Sequence, residues 1–275
     1  MLNNIYMRSL AQLIQSFKLG CHQYADNTQL FLLMDSHPST LPECLASCLE
    51  AMVDWLKRSW LKLNPAKTEV LWLGRHAERQ MRELPALDGT QLTPVPSVKS
   101  LGVILDSSLT MEAQVANVTR VAFFHLRQAR LLVPYLSAPN LATVIHAMVT
   151  SRLDFCNSLY AGLPLNLLRK LQLVQNAAAR VLTGTQWRAH ITPVLSQLHW
   201  LQIGDQIRFK VLVLTFKALN RLGPVYLRDR LFRYSPQRVL RSVDQSLLRV
   251  PSPKEIKTGL NPGQGLLGLV ECSAE

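Results

Sequence analysis

The chain has 275 residues, of which 48% are hydrophobic and 17% are charged, a composition typical of a folded protein. The five cysteines are odd in number and scattered, which argues against a disulfide framework and favours a reducing, intracellular location, nucleus or cytoplasm. No stretch reaches the roughly 20 apolar residues that a membrane-spanning helix needs, and no signal peptide is recognisable at the start, so we expect no membrane partner.

The net charge of +12 belongs to the second part of the chain. Residues 1–110 contain 10 Lys+Arg and 10 Asp+Glu, whereas residues 111–275 contain 20 Lys+Arg and 8 Asp+Glu. Basic side chains gain affinity for nucleic acid by releasing the counterions that condense on its phosphates. The asymmetry therefore favours a nucleic-acid-binding module in the second part, with a merely solvated basic face as the alternative.

A β-hairpin is predicted near the start of the chain. Residues 19–23 and 30–33 are strand-like, and the turn Tyr24-Ala25-Asp26-Asn27 lies between them. Asp and Asn tolerate the positive φ of a tight turn, so the pattern is typical of a hairpin. On its own the turn is better explained as a surface turn that has no chemistry.

A helix and two further strands are predicted before residue 108. Apolar residues at helical spacing indicate an amphipathic helix over residues 39–60. Residues 68–74 are predicted to form a strand that ends at glycine. Residues 98–105 are predicted to resume as a strand with Gly102 inside it, and residues 101–105 are expected to be mostly core.

The rest of the chain is predicted to be mainly helical. Long runs with 3.6-residue periodicity indicate helices at residues 111–133, 141–153, 167–182 and 206–222. The third is expected to end at Gly184. The side chains expected to face inward are Leu167, Leu171, Val174, Ala178 and Val181 in the third helix, and Ile207, Val211, Leu214 and Ala218 in the fourth.

Several segments, in this order, resemble the palm-to-thumb half of the reverse transcriptases of vertebrate non-long-terminal-repeat retrotransposons. They are 22–30 (HQYADNTQL), 61–69 (LKLNPAKTE), 100–106 (SLGVILD), 122–127 (AFFHLR), 150–159 (TSRLDFCNSL), 172–180 (QLVQNAAAR) and 190–195 (HITPVL). The resemblance implies an α+β fold. Residues 1–108 would be a partial polymerase palm of antiparallel strands with a helix, residues 109–233 a helical thumb-like region, and residues 234–275 a weakly ordered, divergent tail.

The resemblance also assigns roles to hairpin and turn residues. The hairpin of such polymerases usually carries two aspartates, and its first carboxylate holds Mg²⁺ together with an aspartate from an earlier strand. Asp26 matches the first position as a vestigial catalytic and metal residue, and Asn27 replaces the second carboxylate. Lys67 matches a region where a basic residue often lies near the leaving pyrophosphate, although a turn lysine without function fits equally well.

These positions predict an inactive polymerase. No Asp or Glu precedes Tyr24 in this sequence, so Asp26 alone does not assemble a paired Mg²⁺ site. The neutral amide of Asn27 attracts a divalent cation less than a carboxylate does. The chain resembles an RNA-directed DNA polymerase by ancestry, and we expect no productive Mg²⁺ binding.

The thumb-like helices carry the candidate nucleic-acid contacts. Arg120, Arg127 and Arg130 recur at helical spacing and are predicted to contact successive phosphates of an RNA template, an RNA:DNA hybrid or DNA. The residues expected to form the opposing apolar surface are Phe123, Phe124, Leu126, Leu131 and Leu132. Those expected to extend the basic surface are Arg169, Lys170, Arg180, Arg188, Arg208, Lys210, Lys217 and Arg221. Trp187 and Trp200 are expected to pack against apolar neighbours, with base stacking as the alternative.

Three interpretations follow. The first is a retrotransposon reverse transcriptase fragment whose thumb still binds nucleic acid but which does not polymerise. The second is a non-enzymatic nucleic-acid-binding or interaction protein recruited from such an element. The third is a relic without a stable product, because loss of the preceding palm would leave apolar surface and an unpaired sheet edge.

Overall fold

The computed structural model describes residues 7–25, 27–33, 41–73, 84, 86–87, 89–234, 247–250 and 266–273. It has the predicted α+β character, with small antiparallel strand groups and a majority of helix. The chain divides into two compact units, Met1–Thr110 with Pro253–Glu275, and Met111–Ser252. The first boundary falls close to the point where the sequence changes from neutral to basic.

The predicted hairpin is present in the first unit. β1 (Gly20–Tyr24) pairs antiparallel with β2 (Asn27–Leu33), and Tyr24 lies opposite Asn27 at the turn. Ala25 has a φ of 55°, the left-handed conformation that a two-residue hairpin turn demands. The local pattern of the sequence was therefore sufficient to locate this hairpin.

The sheet that contains the hairpin is completed by a strand from the far end of the chain. Its order is β1, β2, β8 (Leu266–Ser273), β3 (Glu69–Leu73), and β8 is antiparallel to both of its neighbours. Val270 of β8 lies opposite Leu30 on one side and opposite Val70 on the other. This strand differs from the weak order expected for residues 234–275. It also joins β2 to β3 within one sheet.

Two helices pack on this sheet and form the core of the first unit. They are α1 (Arg8–Ser16) and α2 (Leu41–Arg58), and the second of them confirms the helix predicted over residues 39–60. The buried side chains of this core include Leu10, Ile14, Leu30, Leu45, Leu49, Met52, Leu56 and Val70. Each such side chain contributes about 1.5–3 kcal/mol on burial, so the core is the main stabilising element of this unit.

The strand predicted over residues 98–105 is a second hairpin instead. β6 (Ser97–Ser100) pairs with β7 (Val103–Asp106), following the short pair β4 (Ala86–Leu87) and β5 (Thr90–Gln91). Leu101 and Gly102 form the turn, with φ values of 46° and 87°. Because Gly102 is a turn residue, Leu101 projects to solvent and is 46% exposed, which corrects its assignment to the core.

The cysteine thiols differ in burial and are therefore expected to differ in reactivity. Cys48 is fully buried on α2, and this burial, with Cys44 and Cys21 nearby, raises the pKa of its thiol to about 12. Cys156 is exposed. Since the thiolate is the reactive form, we expect iodoacetamide at pH 8 to alkylate Cys156 in the folded protein while Cys48 stays unmodified, as read by peptide mass spectrometry. Equal labelling of both under native conditions, with denatured protein as the control, would contradict the packing of α2.

The second unit is helical. Its longer helices are α3 (Glu112–Leu132), α6 (Leu165–Thr183) and α8 (Ile203–Leu219). Between α3 and α6 lie α4 (Ala138–Ile145), a π-type turn (His146–Thr150) and α5 (Ser151–Asp154), and the short helices α7 (Thr192–Gln197) and α9 (Val225–Arg228) complete the unit. The helices predicted from periodicity are confirmed. Within the described residues, no helix is long and apolar enough to cross a membrane.

Inward-facing positions were predicted well for α6 and poorly for α8. All five residues expected inside α6 are buried, and Gly184 ends the helix with a φ of 67°. In α8, Ile207 and Ala218 are buried, but Val211 is 36% exposed and Leu214 is only partly buried. The apolar residues of α8 are distributed around its whole circumference, so their spacing does not show which side of the helix is buried.

Candidate nucleic-acid interface

The second unit is strongly basic. Residues 111–252 contain 18 Lys+Arg and 5 Asp+Glu. Two of these basic residues are paired on the surface, Arg208 with Asp205 and Arg228 with Asp229, each with nitrogen and oxygen 3.5 Å apart. Five acids are too few to neutralise 18 bases, so the unit presents a positive potential that attracts polyanions.

Three exposed arginines lie on one side of α3. Arg120, Arg127 and Arg130 are all exposed, and none of them forms an ion pair with another described residue. The Arg120 Nη2 donates a hydrogen bond to Oδ1 of Asn117 at 3.0 Å. At a rise of about 1.5 Å per residue, Arg120 and Arg127 are about 10 Å apart along the helix axis, close to three nucleotides at about 3.4 Å each.

Phenylalanines share this exposed side, which the sequence reasoning missed. Phe123 is 39% exposed and Phe124 is 50% exposed. The buried side of α3 contains Val115, Val118, Ala122, Leu126 and Ala129. Of the five residues expected to form the opposing apolar surface, only Leu126 is buried. Phe123 falls between the arginines around the helix, Phe124 and Leu131 lie beside them, and Leu132 is exposed in the last turn. A helical-wheel projection of α3, aligned on its most regular row of apolar residues, would have placed Phe123 and Phe124 outside the buried side.

Basic residues interleaved with aromatic rings have a known physical use. Arginines track a phosphate backbone, while exposed aromatic rings provide surfaces on which unpaired bases stack. We define the α3 face as Arg120, Phe123, Phe124, Arg127 and Arg130. Phe124 also contacts the ring of His125 edge-on, with ring centroids 5.4 Å apart.

The other basic residues of the unit are mostly at the surface. Arg169, Lys170, Arg188, Arg208, Lys210, Lys217 and Arg221 are exposed, as expected of a basic surface. Arg180 is only partly exposed, and its Nη2 donates to the Ala189 carbonyl at 3.3 Å, so its predicted role on the surface is not confirmed. Trp187 is 82% exposed, which corrects the expectation that it packs, whereas Trp200 is partly buried.

The residues predicted from the polymerase resemblance are not gathered into one described site. Asp26 lies outside the described residues. Asn27 is the first residue of β2 and lies opposite Tyr24 and Ser273. Lys67 is exposed at the end of a short turn that leads into β3, and β8 separates β3 from β2. Among the described residues, no group of three or more His, Cys, Asp and Glu is positioned to hold a metal ion.

Comparison of the chain with protein-family models, with curated proteins and with solved structures finds no match. The family resemblance therefore rests on the sequence segments quoted above.

Proposed function

We propose that this chain derives from a retrotransposon reverse transcriptase and that its helical unit binds nucleic acid through the α3 face. The observation that supports this most is the row of exposed arginines interleaved with exposed phenylalanines on one side of one helix. A surface that combines guanidinium groups with aromatic rings suits a ligand that has both phosphates and bases.

The expected ligand is a single strand or an RNA:DNA hybrid with an unpaired end. Stacking on Phe123 or Phe124 needs a base whose face is free, and a fully paired duplex covers its base faces. The arginines bind phosphate without reading sequence. The binding is therefore sequence-tolerant and sensitive to salt.

The test is fluorescence anisotropy with a labelled 12-nucleotide RNA, the same RNA with a complementary DNA recessed at one end, and a blunt duplex. We expect affinities in the micromolar range that fall steeply between 50 mM and 200 mM salt, with the blunt duplex weakest. Absence of binding to all three at 50 mM salt would overturn the proposal.

The chain is not expected to polymerise DNA. In this proposal Asn27 supplies a neutral amide where a second acid would strengthen Mg²⁺ binding. Primer extension with the purified 275-residue chain, an RNA template and Mg²⁺ should give no product, alone and after N27D substitution. Magnesium-dependent extension by either protein would show that the hairpin forms a working site.

A second candidate is a recruited non-enzymatic protein that binds one defined nucleic acid or another protein. It is favoured by an apolar stripe on α8 formed by Phe209, Leu212 and Phe216, which are 59%, 67% and 61% exposed. Such stripes mark interaction surfaces in soluble proteins. Recognition of one defined RNA sequence, or of one protein, would favour this candidate over sequence-tolerant binding.

A further inference from the structure

The helical unit contains a cleft away from the α3 face. It has a volume of about 350 Å³, and the residues that give it its chemical character are His146, Asp154, His199, Trp200 and Gln206. Sites for small organic ligands occupy roughly 300–1,000 Å³. This cleft is therefore large enough for one nucleoside and too small for a folded segment of another chain.

Irregular backbone places these side chains around the cleft. His146 begins the π-type turn between α4 and α5, and such turns often occur at functional sites. His199 has a φ of 55°, an uncommon conformation for a residue other than glycine. The imidazole of His146 meets the indole of Trp200 edge-on, with ring centroids 5.5 Å apart.

Buried amides fix the segment that carries Trp200. The Gln175 Nε2 donates to the Leu201 carbonyl at 2.8 Å, and the Gln172 Oε1 accepts from the Ile203 amide at 2.9 Å. Gln175 is only 3% exposed. These bonds anchor residues 201–203 to α6, so the wall beside Trp200 is held in place before any ligand arrives.

The chemistry of the lining is mixed. Its polar groups are one carboxyl, two imidazoles, two amides, a hydroxyl and an indole N–H. Partial burial raises the pKa of the Asp154 carboxyl, although Lys210 and His146 act in the opposite direction. The Asp154 carboxylate repels a phosphate, and an aliphatic ligand would make no hydrogen bond to the polar groups of the lining. A heteroaromatic ring with N–H donors along one edge suits both the carboxylate and the indole.

We propose that this cleft binds one unstacked guanine base of a single-stranded nucleic acid, with Asp154 reading its donor edge and Trp200 providing a stacking surface. An ionised carboxylate only accepts hydrogen bonds. Guanine offers it two adjacent donors, N1–H and the N2 amino group, whereas the edges of adenine, cytosine and uracil place an acceptor beside each donor. The proposal rests on nucleic-acid binding by this unit and adds a base preference to it.

The test compares a 12-nucleotide oligouridine that contains one central guanosine with the same strand containing adenosine. Wild-type protein should bind the guanosine strand at least about tenfold more tightly, which is the lower limit expected of even one hydrogen bond to a charged group. D154N and W200L should abolish this preference, so that the guanosine and adenosine strands bind equally. The matched controls are D205N, which removes an exposed acid from α8, and W187L, which removes an exposed indole; both should keep the preference.

D154N should leave the fold of the unit unchanged, because Asp154 is exposed and the amide has nearly the same shape as the carboxyl. Equal binding of the two strands by wild type, or a preference that survives D154N, would overturn the guanine site while leaving the α3 face intact. If no oligonucleotide binds, the proposed function fails instead. Titration with guanosine monophosphate then tests the guanine site by itself. Binding that disappears in D154N supports the site, and absence of binding overturns it.

Discussion

Replacing Val270 by proline is expected to unfold the first unit. β8 is the strand that joins β2 to β3, and Val270 lies opposite Leu30 and Val70 in the two ladders. Proline removes a backbone donor and is not tolerated in a central strand. Losing β8 would leave the facing edges of β2 and β3 without hydrogen-bond partners. Each backbone group that stays buried and unpaired costs about 1–3 kcal/mol. The total stability of a folded protein is only about 5–15 kcal/mol.

Hydrogen exchange measured by mass spectrometry can localise this effect. In V270P, peptides from Leu41–Arg58 and Glu69–Leu73 should lose protection, while peptides from Leu165–Thr183 in the other unit keep it. The matched control is V270T, which retains the backbone donor and the β-branched shape and should preserve protection at β3. Full protection of β3 in V270P would mean that β8 does not complete the sheet.

In the first unit, the elements that depend on interactions over a few residues could be predicted from the sequence, and those that depend on distant pairing could not. The β1–β2 hairpin and α2 were predicted because turn chemistry and helical spacing act over a few residues. β8 was missed because its partners, β2 and β3, are more than 190 residues away along the chain, and nothing in a local window reports such pairing. The β6–β7 turn is not evident from the local pattern, because apolar residues flank Gly102 as they would inside a strand. In the structure Gly102 is the second residue of the turn.

The sequence predicted the basic residues of the candidate interface but not its aromatic residues. The exposed positions of Arg120, Arg127 and Arg130 follow from helical periodicity, since charged side chains stay in water. Phe123 and Phe124 were assigned to the interior by residue type, although their helical positions place them with the arginines. Their exposure beside the arginines is the observation on which the proposed nucleic-acid contact rests.

Neutralising the arginines of the α3 face is expected to weaken nucleic-acid binding about 100-fold at 50 mM salt. R120Q/R127Q/R130Q removes three positive charges, and each phosphate interaction is worth about 1 kcal/mol, so the three together exceed two factors of ten. The slope of log affinity against log salt concentration should also become shallower by about 2, at roughly 0.7 per phosphate for a single strand. The measurement is anisotropy with the 12-nucleotide RNA across 50–200 mM salt.

Replacing the phenylalanines should change affinity without changing the salt slope. F123A/F124A removes stacking, which is worth about 1–3 kcal/mol per base, but leaves every arginine in place to bind phosphate. R228Q removes an exposed arginine of the same unit that is already paired with Asp229, and we expect it to lower the slope by much less than the triple variant does. If R120Q/R127Q/R130Q weakened binding no more than R228Q, the basic charge of the unit would act diffusely, and the α3 face would have no special role. If F123A/F124A flattened the salt slope, its effect would come from rearranged arginines and not from the removal of stacking.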